Sequence, residues 1–180
     1  MENKITNKAA LHLNKTKALV LTGLLFSIAI ILTAVENSFP PVMAGVPGVK
    51  LGLSNIAVMY ALFFLSKGQA YTIAFLKAVF VFLTRGLVAA LLSLSGGILS
   101  LLIMSLLLWL FKDKISYLML SIAGAVSHNF GQLTAMAVLF LSAYIWAYLP
   151  VLLISGVLAG IGTSALLRFI LPAFHKLGLK

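Results

Sequence analysis

The chain has 180 residues, of which 62% are hydrophobic and only 9% charged, and its mean hydropathy is +1.16. A soluble domain carries about 25% charged residues, because its surface has to face water. The composition therefore excludes a water-soluble globule and predicts an integral membrane protein. The net charge of +10 would suggest nucleic acid binding in a soluble protein. Here the cations border apolar runs, where they act as topology signals, so no nucleic acid partner is expected.

Acids and cysteines are scarce, which excludes several kinds of chemistry. The chain has no cysteine, and its only acids are Glu2, Glu36 and Asp113. Disulfides, thiolate metal sites, carboxylate metal clusters and paired-carboxylate catalysis are thereby excluded. The chain also lacks a GxxxxGK[ST] phosphate loop, so it does not itself hydrolyse ATP. We therefore expect no enzyme activity, no cofactor and no metal, and any active transport would draw its energy from another subunit.

The apolar runs predict a bundle of six transmembrane helices, with a basic segment (1–17) before it and a short tail (172–180) after it. The transmembrane domain between them spans 18–171. A connection rich in proline and glycine, 36–50, follows the first helix and is a candidate lid over an outward-facing cavity, with Pro47, Gly48, Lys50 and Asn55 near its mouth. The helices are expected at about 18–35, 51–65, 69–92, 98–111, 117–141 and 148–171.

The boundary between the third and fourth helices has two alternatives. The division above places a break at Ser95-Gly96-Gly97. Residues 86–111 carry no charge, however, so the glycine pair could be a kink within one helix. The division would then fall at Arg85. Either choice gives two crossings and leaves the total at six.

The cations predict the orientation of the bundle. With the N-terminus inside, the outer segments hold only Lys50. Such a bias places both termini in the cytoplasm. The inner segments hold the other cations outside the helices, which are Lys4, Lys8, Lys15, Lys17, Lys67, Lys112, Lys114, Arg168, Lys176 and Lys180.

Two further cations, Lys77 and Arg85, fall inside the predicted third helix, roughly 12 Å and 24 Å from its start. Intramembrane cations are costly, usually face a cavity and generally have a partner. Glu36 could reach Arg85, whereas nothing acidic is expected at the depth of Lys77. We infer an anionic ligand carrying carboxylate or phosphate, and the fork of Arg85 suits it best. The alternative is that both side chains snorkel to opposite interfaces.

A second polar concentration lies in the middle of the fifth helix, at Ser127-His128-Asn129-Phe130-Gly131-Gln132. His128 and Gln132 are four residues apart and share a face. This cluster would either contact the uncharged part of a ligand or hold the bundle together through interhelical hydrogen bonds.

Small residues recur at a spacing that lets helices approach closely, within the chain or against a partner. The sets are Gly23 and Ser27, Ala57 and Ala61, Ala74 and Ala78, and Gly156, Gly160 and Ser164.

Four motifs occur in one order. The first, Val49-Lys50-Leu51-Gly52-Leu53-Ser54-Asn55, matches a PxKLGLxN-type signature. It is followed by Lys77 with Arg85-Gly86-Leu87, by Ser93-Leu94-Ser95-Gly96-Gly97 leading to Ser100 and Met104, and by Gly124-Ala125 with His128-Asn129-Phe130-Gly131-Gln132. Over 18–171 the chain thus resembles the Gx transporter family, also catalogued as heptaprenyl diphosphate synthase component I.

The family is similar to the S components of energy-coupling factor (ECF) transporters, which are small six-helix subunits that borrow a scaffold and ATPases. The nearest counterpart of their AxxxA docking pattern is Gly23 with Ser27. The resemblance implies a bacterial cytoplasmic membrane protein that binds and transports a small, anionic metabolite or cofactor precursor, energised by partner ATPase subunits. The substrate-binding residues expected on this basis are Lys50, Asn55, Lys77, Arg85, His128, Asn129 and Gln132.

The family's second name implies an alternative, a non-catalytic membrane component of heptaprenyl diphosphate synthase in menaquinone side-chain synthesis. Catalysis in that enzyme class needs aspartates that hold magnesium on diphosphate, and one aspartate cannot provide this. A third interpretation, a purely structural assembly protein, explains the helices but leaves Lys77, Arg85 and His128 without a purpose.

Overall fold

The computed structural model describes residues 15–38 and 54–176, and within these ranges the predicted six helices are confirmed. Two short 3-10 helices, Lys112–Lys114 and Ala143–Tyr148, connect α4 to α5 and α5 to α6. The six helices are α1 (Lys15–Ser38), α2 (Asn55–Phe64), α3 (Lys67–Arg85), α4 (Leu87–Phe111), α5 (Tyr117–Phe140) and α6 (Leu149–Lys176).

The predicted break at Ser95-Gly96-Gly97 is wrong, and the alternative division at Arg85 is confirmed. Gly86 separates α3 from α4 with φ of 83° and ψ of −179°, a conformation that essentially only glycine adopts. Its N–H still donates to the carbonyl of Phe82 at 3.0 Å, and its own carbonyl accepts from Ala90 at 3.2 Å. The glycine pair instead continues α4.

The short helix α2 lies at the centre of the described bundle, where it packs against α1, α3, α4 and α6. Every residue from Ile56 to Leu62 is buried. Lipid tails are as apolar as these side chains, so close packing and buried hydrogen bonds hold such helices together, rather than escape from water. The core around α2 includes Leu25, Ile73, Leu101, Leu120 and Leu167.

Small residues bring α6 against α5. A Cβ atom placed on Gly160 would lie 2.5 Å from the Cα of Ile122, and one on Gly156 would lie 3.1 Å from the Cα of Val126. The hydroxyl of Ser121 donates to the carbonyl of Gly160 at 2.7 Å. This small-residue set therefore packs helices within the chain.

The other small-residue sets divide between the interior and the surface. Ala57, Ala61, Ala74 and Ala78 are buried. Gly23 is exposed and has open space around the position of a Cβ atom.

Three of the described helical segments are long and apolar enough to cross a membrane: Thr16–Glu36, Leu87–Phe111 and Ala143–Phe169. Large aromatic side chains are exposed near helix ends, with Trp109 at 70% and Tyr144 at 88% exposure. Trp and Tyr are enriched at membrane–water interfaces. The fold is that of an all-helical membrane protein.

Candidate functional site

A cavity of about 340 Å³ opens between α1, α3, α4 and α5 and also touches the start of α2. Lys50 of the predicted site lies outside the described residues, as do Pro47 and Gly48 of the predicted lid. The other six predicted site residues all line the cavity, and they are Asn55, Lys77, Arg85, His128, Asn129 and Gln132.

Helical spacing explains how residues distant in sequence share one wall. Lys77, Val81 and Arg85 line the cavity from α3 at intervals of four residues. His128 and Gln132, with Met136 beyond them, do the same from α5. Residues four apart lie on one face of a helix. Eight residues of helix rise about 12 Å, so the cavity is elongated along the helix axes.

Burial defines a closed end and an open end of this cavity. Lys77 is 7% exposed and hydrogen-bonds to Asn55, and we call the part of the cavity around these two residues the deep end. Arg85 is exposed and Val88 is 45% exposed, so the cavity opens between the end of α3 and the start of α4. We call this second end the mouth.

The expected position of Arg85 well inside a helix is wrong. Because Gly86 ends α3, Arg85 is the last residue of that helix, and its side chain is exposed at the mouth. Glu36, at the end of α1, is 8% exposed and lines the same cavity. The two opposite charges that were expected to come together thus border one cavity.

Lys77 does not extend to the surface of the bundle. Its ammonium group donates to the side-chain oxygen of Asn55 at 3.1 Å. Asn55 is the first residue of α2, so this bond joins α2 to the middle of α3. The expected position of Asn55 near the mouth is therefore wrong, because its side chain is held beside the buried Lys77. The buried ammonium group lies at the deep end, where it borders the cavity.

Asn129 forms interhelical hydrogen bonds, as one of the two alternatives for the fifth helix predicted. Its amide nitrogen donates to the carbonyl of Leu152 at 2.9 Å and to the hydroxyl of Ser155 at 3.3 Å. Asn129 therefore joins α5 to α6 while also lining the cavity.

Gly96 sets the position of His128 from the neighbouring helix. A Cβ atom on Gly96 would lie 2.8 Å from the Cε1 atom of His128 and 2.9 Å from the Cγ atom of Gln132. On α5, a Cβ atom on Gly131 would lie 2.9 Å from the carbonyl oxygen of Ser95. These glycines let α4 and α5 meet beside the cavity, and sequence reasoning interpreted the first of them as a break.

Sequence reasoning also missed three hydroxyl groups in the cavity wall, those of Thr33, Ser54 and Ser93. Ser54 and Ser93 fall within the motifs quoted above, which was the available signal. A smaller space of about 10 Å³ adjoins the deep end and shares Asn55, Lys77 and Ser93 with it. That volume is about enough for one water molecule.

One protein family matches the part of the chain that contains the cavity. The model of the family described as heptaprenyl diphosphate synthase component I matches residues 25–170. The chain belongs to this family. The match includes every described residue of the cavity, so the cavity lies within the family domain. No curated protein and no solved structure matches the chain.

Proposed function

We propose that this member of the family is a membrane-embedded subunit that binds a small anionic metabolite or cofactor precursor in the cavity and transports it, with energy from partner ATPase subunits. The observation that carries the proposal is the buried ammonium group of Lys77 at the deep end of an open cavity. An anion bound there would gain a charge-assisted hydrogen bond in surroundings of low dielectric constant.

A binding role explains features that a structural role does not. Burying an ammonium group is costly, and a well-packed apolar residue of similar size often stabilises a protein at least as well. Lys77 and Arg85 border one open cavity, although an assembly protein requires neither a cavity nor these cations. The described candidate residues for binding, six in number, line this one cavity.

The proposed setting is the bacterial cytoplasmic membrane, with both termini inside. Exposed cations occur at the starts of α1 and α3, between α4 and α5, and near the end of α6: Lys17, Lys67, Lys112, Lys114 and Arg168. In a bundle of six crossings these positions share one end, which the positive-inside rule assigns to the cytoplasm. A scaffold and ATPases of the ECF type would act from that side.

A second candidate function is favoured by the family match. The family's description names a component of heptaprenyl diphosphate synthase. On this proposal the chain would be a non-catalytic membrane partner of a soluble prenyl synthase in menaquinone side-chain synthesis. The chain has one aspartate, whereas magnesium-dependent chemistry on a diphosphate needs several carboxylates.

Affinity purification can distinguish transport from the synthase role. The tagged full-length chain is purified from its native membranes, and the proteins that accompany it are identified by mass spectrometry. Transport predicts co-purifying ATPases and a membrane scaffold, recovered in constant ratio to the tagged chain. The second candidate predicts a soluble prenyl synthase instead. An unrelated membrane protein with the same tag serves as the control. Recovery of the synthase without ATPases would contradict the transport proposal.

A further inference from the structure

We propose that the ligand is an amphipathic monoanion, with its acidic group at Lys77 in the deep end and its apolar part extending toward the mouth. This inference rests on the proposed binding function and names the class of substrate. We assign the anion to Lys77. The sequence alone favoured Arg85 as the residue that binds it.

The deep end provides one cation and several neutral hydrogen-bonding groups. Among the described residues at the deep end, Lys77 carries a formal charge and His128 adds an imidazole. Ser54, Asn55 and Ser93 add hydroxyl and amide groups around it. One ammonium group with neutral donors suits a carboxylate. A diphosphate would bring further negative charges into a buried end with no matching cations, which is unfavourable.

The wall becomes apolar between the deep end and the mouth. On α3 the residue one turn beyond Lys77 is Val81, which is 4% exposed. Leu92 of α4 and Met136 of α5 also line the cavity. Ligand sites are typically apolar with a few polar groups that fix orientation. An apolar ligand body would lie against this part of the wall while its acidic group faces Lys77.

The mouth adds two opposite charges, those of Glu36 and Arg85. The described lining therefore carries two cations and one carboxylate, which leaves one net positive charge when His128 is neutral. A monoanion balances the charges of the described lining residues, whereas a dianion leaves an excess of negative charge among them. Excess charge is disfavoured inside a membrane protein, so the charges of the described lining favour a ligand with a single negative charge.

Three water-soluble probes that share a phenylalkyl body test this selectivity: 4-phenylbutyrate, its neutral amide 4-phenylbutanamide, and the dianion 4-phenylbutyl phosphate. Binding of each to the full-length protein in nanodiscs is measured by isothermal titration calorimetry. We expect the carboxylate to bind about tenfold more tightly than the amide, since one hydrogen-bonded charge pair is worth at least that factor. It should also bind more tightly than the phosphate.

Matched variants locate the interaction. Lys77→Gln should reduce carboxylate affinity about tenfold and leave amide affinity unchanged. Lys67→Gln makes the same change of charge on the same helix, at an exposed position outside the cavity, and should alter neither. Glu36→Gln removes one negative charge from the lining, which raises its net charge by one, and should shift the preference toward the phosphate.

The outcomes separate this inference from the proposed function. Tighter binding of the phosphate than of the carboxylate by the wild-type protein would overturn the inference but retain an anion site. Unchanged carboxylate affinity in a monodisperse Lys77→Gln variant would do the same. If that variant does not fold, the selectivity of the wild-type protein alone decides. Failure of all three probes to bind would contradict the proposed function and this inference together.

Discussion

At the scale of single residues, the glycines next to the cavity differ in what surrounds them. Gly96 faces α5, where a Cβ atom would lie 2.8 Å from both the ring and the carbonyl oxygen of His128. Its neighbour Gly97 points toward α3, and the nearest atom to a Cβ there is the methyl group of Ala74 at 3.7 Å. The first position has no room for a methyl group, whereas the second makes an ordinary contact.

Alanine substitutions at these two positions should therefore differ in their effect on stability. Gly96→Ala forces α4 and α5 apart, and overpacking of this kind costs about 1–3 kcal/mol in the free energy of unfolding. Gly97→Ala should change stability by less than about 1 kcal/mol, since alanine also has the higher helix propensity. Unfolding in mixed micelles by SDS titration measures both. Equal stabilities of the two variants would contradict the proposed contact between Gly96 and His128.

Much of the site could be predicted from the sequence, but the hydrogen-bond partners of its polar side chains could not. A lysine in an apolar run indicates a cavity or a partner, because burying its charge is costly in any fold. It does not reveal the partner, and the bond from Lys77 to Asn55 joins residues of different helices. The predicted position of Arg85 was wrong because the environment of this residue depends on where α3 ends. Gly86 ends that helix.

At the scale of elements, glycine has two uses that the sequence does not distinguish. Gly86 adopts a positive φ of 83° between two helices, whereas Gly96 is helical and allows a close approach. In the sequence alone, the pair Gly96-Gly97 was a stronger signal for a helix break than the single Gly86. The number and approximate extent of the helices could be predicted because apolar runs and bordering charges specify them, while helix ends depend on tertiary contacts.

The contact between α5 and α6 depends on Gly160. A Cβ atom on Gly160 would meet the backbone of Ile122, at 2.5 Å from Cα and 2.9 Å from the amide nitrogen. Backbone atoms cannot move aside as a side-chain tip can, so Gly160→Ala should separate the helices at a cost of about 1–3 kcal/mol. It should also weaken the hydrogen bond from Ser121, which is worth about 0.6 kcal/mol on average.

Gly162→Ala is the matched control, because a Cβ atom at Gly162 has nothing within 4 Å. SDS titration of both variants gives the comparison, and separation of the helices should also release Asn129 from Leu152 and so reduce ligand affinity. A Gly160→Ala variant as stable as Gly162→Ala would show that α5 and α6 do not meet at this glycine.

At the scale of the whole molecule, the proposed orientation can be tested with single thiols, since the chain has no cysteine of its own. Tyr144→Cys lies in the exposed connection between α5 and α6, and Lys114→Cys in that between α4 and α5. A membrane-impermeant maleimide should label Tyr144→Cys in intact cells and Lys114→Cys only after permeabilisation. The reverse pattern would invert the topology, and equal labelling of both in intact cells would contradict six crossings.

The proposed function requires that the cavity hold a small anion at Lys77. The most direct test is mass spectrometry of the small molecules that remain bound to the full-length protein after purification from its native membranes. We expect one organic anion that is retained by the wild-type protein and by Lys67→Gln but is lost from a correctly folded Lys77→Gln variant. The same bound molecules in the wild-type protein and in Lys77→Gln would contradict it.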